Sequence, residues 1–186
     1  MQTEIIIAGF GGQGVLFAGQ VLAYAAMDND LEVTWIPSYG PEMRGGTANC
    51  TVIVSSETIG SPLVLNPSAA ILLNLPSLDK YESLVQPGGV LVANSSLINR
   101  GPERNDIVSI FIPANEIAES LGDTRMTNMV ATGAMLACLP VLSIEAIEKA
   151  LEDHLPERHQ RLLPVNFRAL RMGGEFAREH TLAKVH

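Results

Sequence analysis

Two glycine-rich segments carry the residue types that could do chemistry. The first, GFGGQG at residues 9–14, has the spacing G-x-G-x-x-G, and the second, YGPEMRGG at residues 39–46, contains an arginine followed by two glycines. The first segment lies between an apolar run at 4–8 and a helical pattern at 15–26. A helix N-terminus offers unpaired N–H groups, and glycines let a ligand approach the backbone closely. The spacing therefore predicts a turn that binds an anion.

The turn lacks one part of the dinucleotide-binding fingerprint. That fingerprint has an acidic side chain about 20 residues further on, at the end of the second strand, where it binds the ribose hydroxyls. Here the predicted second strand, residues 31–36, is followed by Pro37 and Ser38, and its acid, Glu32, stands at the beginning. An NAD or flavin enzyme is thus a rival interpretation, and we expect the isolated chain to bind neither cofactor.

Composition and charge indicate which kinds of partner and which cellular compartment are expected. The chain has 186 residues, a net charge of −8 and 17% charged residues, whereas nucleic-acid binding requires clustered Lys and Arg. We therefore expect no nucleic-acid partner, and a single domain over 1–180 with a loose tail at 181–186. A hydrophobic content of 47% suggests that partner chains cover some surface. No basic region precedes the first apolar run, which favours the cytoplasm over secretion.

The longest uncharged stretch, residues 126–144, is interpreted as a buried helix that ends before Pro140. A membrane span needs about 20 predominantly apolar residues, and polar residues and Pro140 interrupt this stretch. No membrane association is expected.

The chain offers no catalytic set and no metal site of its own. Cys50 and Cys138 are single and far apart, so they cannot supply the four thiolates of an iron–sulfur cluster. The histidines are all in the C-terminal third and have no metal-ligand spacing. We therefore predict no catalytic residue and no metal ligand.

Hydrophobic patterning predicts an α/β fold. Continuous apolar runs separated by helical segments are typical of a mostly parallel sheet covered on both faces, that is, a three-layer α/β/α arrangement in one domain. Ser143 is the expected N-cap of a helix, and a last helix is expected over 164–180. The predicted strands are residues 4–8, 31–36, 48–54, 69–74, 89–93 and 107–112.

The two glycine segments are expected to meet. In an open α/β sheet the loops that follow the first and second strands emerge at one carboxyl edge, where ligands bind. Arg44 would then face the turn at 11–14. The alternatives for Arg44 are a solvated surface turn and a salt bridge to a partner chain.

The two segments together resemble a known family. GFGGQGVLFAGQVLA, then YGPEMRGGTANCTVIVS, then IGSP at 59–62 are similar to the gamma subunit of the 2-oxoacid:ferredoxin oxidoreductases, and most like the 2-oxoglutarate type. The resemblance extends over nearly the whole chain, through Asn128 and Met129 ahead of Thr132 and Gly133, and through Asn166, Ala169 and Gly173.

The resemblance implies a subunit of a multisubunit enzyme with a fold like the gamma domain of pyruvate:ferredoxin oxidoreductases. Such complexes use thiamine diphosphate, coenzyme A and iron–sulfur clusters to convert a 2-oxoacid to acyl-CoA and carbon dioxide, and they reduce ferredoxin. Alpha, beta and delta-type subunits carry the clusters and most of the thiamine site. The alternative acids are a branched-chain 2-oxoacid and pyruvate, and the alternative class is a non-catalytic assembly or regulatory module with this fold.

The resemblance also implies a coenzyme A site at the interface with the partner subunits. The residues expected to line it, all on or beside the two glycine segments except the weaker candidate Asn128, are Gly11, Gly12, Gln13, Gly14, Arg44, Gly45, Gly46 and Asn128.

Overall fold

The computed structural model describes residues 1–39 and 46–182 and shows an α/β fold. The strands in this part of the chain are β1 (Gln2–Phe10), β2 (Glu32–Tyr39), β3 (Thr47–Ser55), β4 (Ala69–Leu72), β5 (Val90–Asn94) and β6 (Val108–Ile112). The α-helices are α1 (Val15–Met27), α2 (Leu75–Tyr81), α3 (Ala114–Ser120), α4 (Thr127–Cys138), α5 (Ile144–His154) and α6 (Leu163–Leu182).

The sheet is mixed and mostly parallel, with the strand order β2-β3-β1-β4-β5-β6. Strands β1, β4, β5 and β6 run parallel, which confirms the predicted α/β class. Strand β3, however, is antiparallel to both β1 and β2, so that β1 and β2 point the same way without being neighbours. A parallel crossover needs a dozen or more residues, and the connection from β2 to β3 covers only residues 40–46. The reversal of β3 follows from that length.

Helices pack on both faces of the sheet. Alternate residues of β1 separate the two sides, since Ile5 and Ile7 join the larger core under α1, α4, α5 and α6, whereas Ile6 and Ala8 join a smaller core under α2. This alternation is the period-2 pattern of a strand buried on both faces.

Helices α4 and α6 touch backbone to backbone at two glycines. A Cβ atom on Gly133 would lie 1.9 Å from the carbonyl oxygen of Leu170, and one on Gly173 would lie 1.9 Å from that of Val130. Helix α4 is buried from Thr127 to Leu136 and ends before Pro140, which confirms the predicted core helix.

The start of α5 and the end of α6 can be compared with the predictions from sequence. The Ser143 hydroxyl accepts a hydrogen bond from the Ala146 amide at 3.0 Å, so the predicted N-cap is confirmed. Helix α6 continues to Leu182, two residues into the expected tail, and residues 183–186 lie outside the described residues. In the described part of the chain, no helix has the length and apolarity that a membrane crossing requires.

Candidate functional site

The glycine turn joins the end of β1 to the start of α1 and is held from inside by Gln13. The Gln13 side-chain oxygen accepts a hydrogen bond from the Phe10 amide at 2.6 Å, and its nitrogen donates to the Leu73 carbonyl at 3.4 Å. The Gln13 amide N–H donates to the Phe10 carbonyl at 3.2 Å. Gln13 thereby ties the turn to β1 and to the end of β4, and its side chain turns toward the protein.

Two residues of the turn require glycine for different reasons. Gly12 has a φ of 96°, and no atom of the described residues lies within 4 Å of the place where its Cβ would be. Gly14 has a φ of 73°, and its Cβ would lie 2.4 Å from the side-chain nitrogen of Asn128. Left-handed backbone of this kind favours glycine over any L-residue. Gly12 therefore leaves open space, whereas Gly14 leaves room for a neighbouring side chain.

Asn128 lies in the first helical turn of α4 and holds the glycine turn in place from the side of that helix. Its side chain is buried, and its nitrogen donates a hydrogen bond to the Gly14 carbonyl at 3.0 Å. Its oxygen accepts from the Met129 amide at 2.9 Å. With both ends of the carboxamide engaged by the backbone, Asn128 positions the turn.

The second glycine segment reaches the first at Gly46. The Gly11 amide donates a hydrogen bond to the Gly46 carbonyl at 2.9 Å, directly beyond the pairing of Phe10 with Thr47. The structure thus brings Gly46 beside the glycine turn. Arg44 and Gly45 lie outside the described residues.

A cavity of about 280 Å³ opens between the two segments. Gly11, Gly12, Gly14 and Gly46 contribute to its lining, while Gln13 and Asn128 do not. Within the part of the chain that the structure describes, no side chain caps the N-terminus of α1, and the first turn of this helix contains no acidic residue. Unpaired amides at a helix N-terminus carry partial positive charge and favour an anion. The other residues that line the cavity are Phe10, Val15, Leu16, Phe17, Thr47 and Ala48.

Phe10 lies inside the first glycine segment, the other five residues directly follow one segment or the other in sequence, and that proximity is the signal that could have identified them. Glycine spacing and charge alone do not single these residues out. Phe17 and Leu16 instead bring an apolar wall, which suits a ligand that is partly apolar.

Neither cysteine is a nucleophile in this setting. Burial raises the pKa of the Cys50 thiol to about 12, and burial likewise raises the pKa of the Cys138 thiol. Because the thiolate is the reactive form, both side chains remain protonated at neutral pH. Among the residues described, no group of three or more His, Cys, Asp or Glu side chains is arranged to hold a metal ion.

The family follows from comparison of the whole chain with known proteins. Residues 4–176 match the model of the pyruvate ferredoxin/flavodoxin oxidoreductase family. The chain belongs to this family. Its fold is also that of the keto/oxoacid ferredoxin oxidoreductase gamma subunit from Geobacter sulfurreducens, with a TM-score of 0.79 and 34% identity over 95% of this chain and 99% of that one.

Two curated relatives differ in length and in named substrate. The 2-oxoglutarate synthase subunit KorC of Methanocaldococcus jannaschii is 34% identical over 183 residues, which is 96% of each protein. The ketoisovalerate oxidoreductase subunit VorA of Methanothermobacter thermautotrophicus is 38% identical over 180 residues, and these cover 96% of this chain but 37% of VorA. This family member therefore spans little more than a third of the VorA length.

A second solved structure has the same fold inside a longer chain. It is the 2-oxoglutarate:ferredoxin oxidoreductase from Magnetococcus marinus, described with 2-oxoglutarate, coenzyme A and succinyl-CoA bound. The TM-score is 0.85 at 24% identity, and the match covers 96% of this chain and 31% of that one.

Proposed function

We propose that this chain acts as the gamma subunit of a 2-oxoglutarate:ferredoxin oxidoreductase. The complex would convert 2-oxoglutarate and coenzyme A to succinyl-CoA and carbon dioxide, and pass the two electrons to ferredoxin. The equal length of KorC supports the choice of acid. The second candidate is a branched-chain 2-oxoacid, which the 38% identity to VorA favours.

The observation that carries this proposal is the cavity between the glycine turn and Gly46. Gly11, Gly12, Gly14 and Gly46 present backbone to the cavity, and the N-terminus of α1 opens on it without a side-chain cap. A pantetheine arm has amides that pair with backbone groups, and the phosphates of coenzyme A are anions that suit a helix N-terminus. The residues present therefore fit coenzyme A.

Two further roles belong to the same proposal. Gln13 and Asn128 hold the turn in shape through their hydrogen bonds to Leu73 and Gly14. Arg44 and Gly45, in the loop that leads to Gly46, would contact coenzyme A or its phosphates, since a guanidinium pairs well with phosphate.

The remaining chemistry is assigned to partner subunits of alpha, beta and delta type. Bound thiamine diphosphate supplies the electron sink for decarboxylation, while the protein binds and orients the reactants. The two cysteines of this chain are too few to ligate a cluster, so the iron–sulfur clusters would also be held by partners. We place the complex in the cytoplasm.

The test uses the assembled complex with two matched glycine variants. Gly12→Ala would place a methyl group in the space next to the cavity, and we expect the KM for coenzyme A to rise about tenfold while the KM for 2-oxoglutarate stays the same. Gly122→Ala is the control, because Gly122 also has a positive φ, of 83°, with nothing within 4 Å of its Cβ position, but lies outside the cavity. It imposes the same backbone strain without touching the ligand.

Equal effects of the two variants on the coenzyme A dependence would refute the site. If the natively expressed chain recovers no thiamine- and cluster-containing subunits, the chain is a module of another kind. Binding of NAD or flavin to the isolated chain would support the dinucleotide rival instead.

A further inference from the structure

Strand β2 lies at the edge of the sheet, and its two sides differ in burial. Val33 and Trp35 pack into the core on the side of α1. The alternate residues Glu32, Ile36 and Ser38 are exposed, and Ile36 retains 43% of its accessible surface. The second side is therefore exposed toward the end of β2, while the Thr34 hydroxyl, nearer the start of the strand, is buried.

The exposed area continues across β3, where Asn49 and Thr51 are half-buried, to the end of β1. Ile36 is paired with Thr51, Ser38 with Asn49, and Thr47 with Phe10, which is 37% exposed. Paired residues point to the same side of a sheet, so these side chains form one surface. We call it the β2–β3 face, and its residues are Phe10, Ile36, Ser38, Thr47, Asn49 and Thr51.

The composition of the β2–β3 face is that of an interface core. It combines β-branched, aromatic and small polar residues and contains no charged side chain. Depletion of charge at the centre of a patch, with charge at its margin, is typical of protein–protein interfaces. Here Glu32 begins β2 at one margin, and Lys80 of α2 lines a small pocket with Asn49 at another.

The β2–β3 face is continuous with the proposed coenzyme A site. Phe10 and Thr47 belong to the face and also line the cavity at the glycine turn. A protein that lies on the face would therefore reach the cavity. The described residues that line this cavity supply backbone and apolar groups together with the Thr47 hydroxyl.

We infer that the β2–β3 face is the surface on which the partner subunit that carries the thiamine site docks, an inference that rests on the proposed function. In VorA and in the Magnetococcus marinus chain, the matching domain is 37% and 31% of a longer polypeptide. The same fold is there joined to further protein. Pro37 removes one amide hydrogen from the edge strand β2, which favours docking on the face over addition of a strand.

The experiment is co-purification of the partner subunits with tagged variants from the co-expressed complex. Ile36→Lys places a charge in the β2–β3 face, and we expect recovery and affinity to fall about tenfold or more. Val108→Lys is the matched control, because Val108 is also β-branched, lies in the opposite edge strand β6 and is 38% exposed. Its recovery should equal that of the wild type.

A second variant distinguishes loss of docking from loss of folding. Ser38→Arg alters the same face at an exposed side chain, and its melting temperature should match that of the wild type. Loss of partners in Ile36→Lys and Ser38→Arg, with retention in Val108→Lys, supports the inference. Normal assembly of both face variants overturns it.

Three other outcomes distinguish the alternatives. If the isolated chain is a dimer that Ile36→Lys converts to a monomer while complex assembly is unchanged, the occupant is a second copy and the inference is wrong. If the wild-type chain itself recovers no subunits with thiamine and clusters, the proposed function fails. If the wild-type complex forms, and complexes with both face variants also form and oxidise 2-oxoglutarate, the proposed function stands and only the docking surface is wrong.

Discussion

The side-chain nitrogen of Asn128 lies 3.0 Å from the Gly14 carbonyl oxygen and occupies the space that a Cβ at position 14 would need. The N-termini of α4 and α1 therefore pack together through the Asn128 carboxamide, and they can do so because Gly14 has no Cβ atom. The glycine turn thus depends for its shape on a helix more than a hundred residues away in sequence.

Asn128→Ala should reduce the free energy of unfolding by about 1 kcal/mol, because it removes a side-chain hydrogen bond and leaves the Gly14 carbonyl with the Ala18 amide as its donor. Urea denaturation measures this loss. Asn29→Ala is the control, since Asn29 also donates to a carbonyl of α1, that of Ala25 at 2.8 Å, but from an exposed position. Its loss should be smaller, and an equal loss would show that Asn128 does not anchor the turn.

Alanine substitutions at two neighbouring glycines of helix α6, Gly173 and Gly174, should differ in their effect on stability. Gly173→Ala brings a methyl group against the Val130 carbonyl, so the helices must move apart, and we expect a loss of about 3 kcal/mol or more. Gly174→Ala, one residue along, meets its nearest atom at 3.2 Å, the end of the Ile144 side chain. Its better helix propensity offsets that contact, so thermal denaturation should show a change within about 1 kcal/mol.

The carboxyl of Asp106 should titrate differently when Arg104 is removed. The Arg104 guanidinium donates to Asp106, through Nε at 2.8 Å, and holds the pKa of that carboxyl below its usual value. A depressed folded-state pKa stabilises the fold above the ordinary value of 3.8 and loses this contribution as the pH falls through the folded-state pKa. Arg104→Met should raise the Asp106 pKa and weaken the acid-side slope of stability, as NMR titration and denaturation at low pH would show.

Arg125→Met provides the control for that titration. Arg125 holds down the pKa of Asp123 in the same way, through a bond from Nε at 2.8 Å. We expect this variant to raise the Asp123 pKa and to leave the Asp106 titration unchanged. A shift at Asp106 in both variants would indicate a general electrostatic effect instead of a local pair.

Arg44→Ala tests the loop between β2 and β3 in the reconstituted complex. If Arg44 binds coenzyme A, the KM for coenzyme A should rise about tenfold or more, because a charged hydrogen bond to phosphate is lost. Arg44→Lys keeps the charge and should recover part of the effect. An unchanged dependence of rate on coenzyme A, together with weakened assembly, would assign Arg44 to a salt bridge with a partner subunit.

Local features of this fold are predictable from sequence, and distant contacts are not. The β1 turn and α1 follow from apolar patterning and glycine spacing, and Ser143 as a cap follows from its side chain. The direction of β3 was not predicted, because an apolar run does not encode strand direction, although the short span of residues 40–46 contained the information. The contact of Asn128 with Gly14 and that of Gly173 with Val130 depend on tertiary packing, which no local pattern specifies.

The reversed direction of β3 affects how this site can diverge. Residues 40–46 join two neighbouring antiparallel strands whose pairing, with Tyr39 opposite Ala48, is set by the sheet. This connection does not need to include a helix that crosses the sheet. Its length and sequence are therefore free to change while the strands keep their register, and the loop can acquire a preference for a different substrate or partner at little cost in stability.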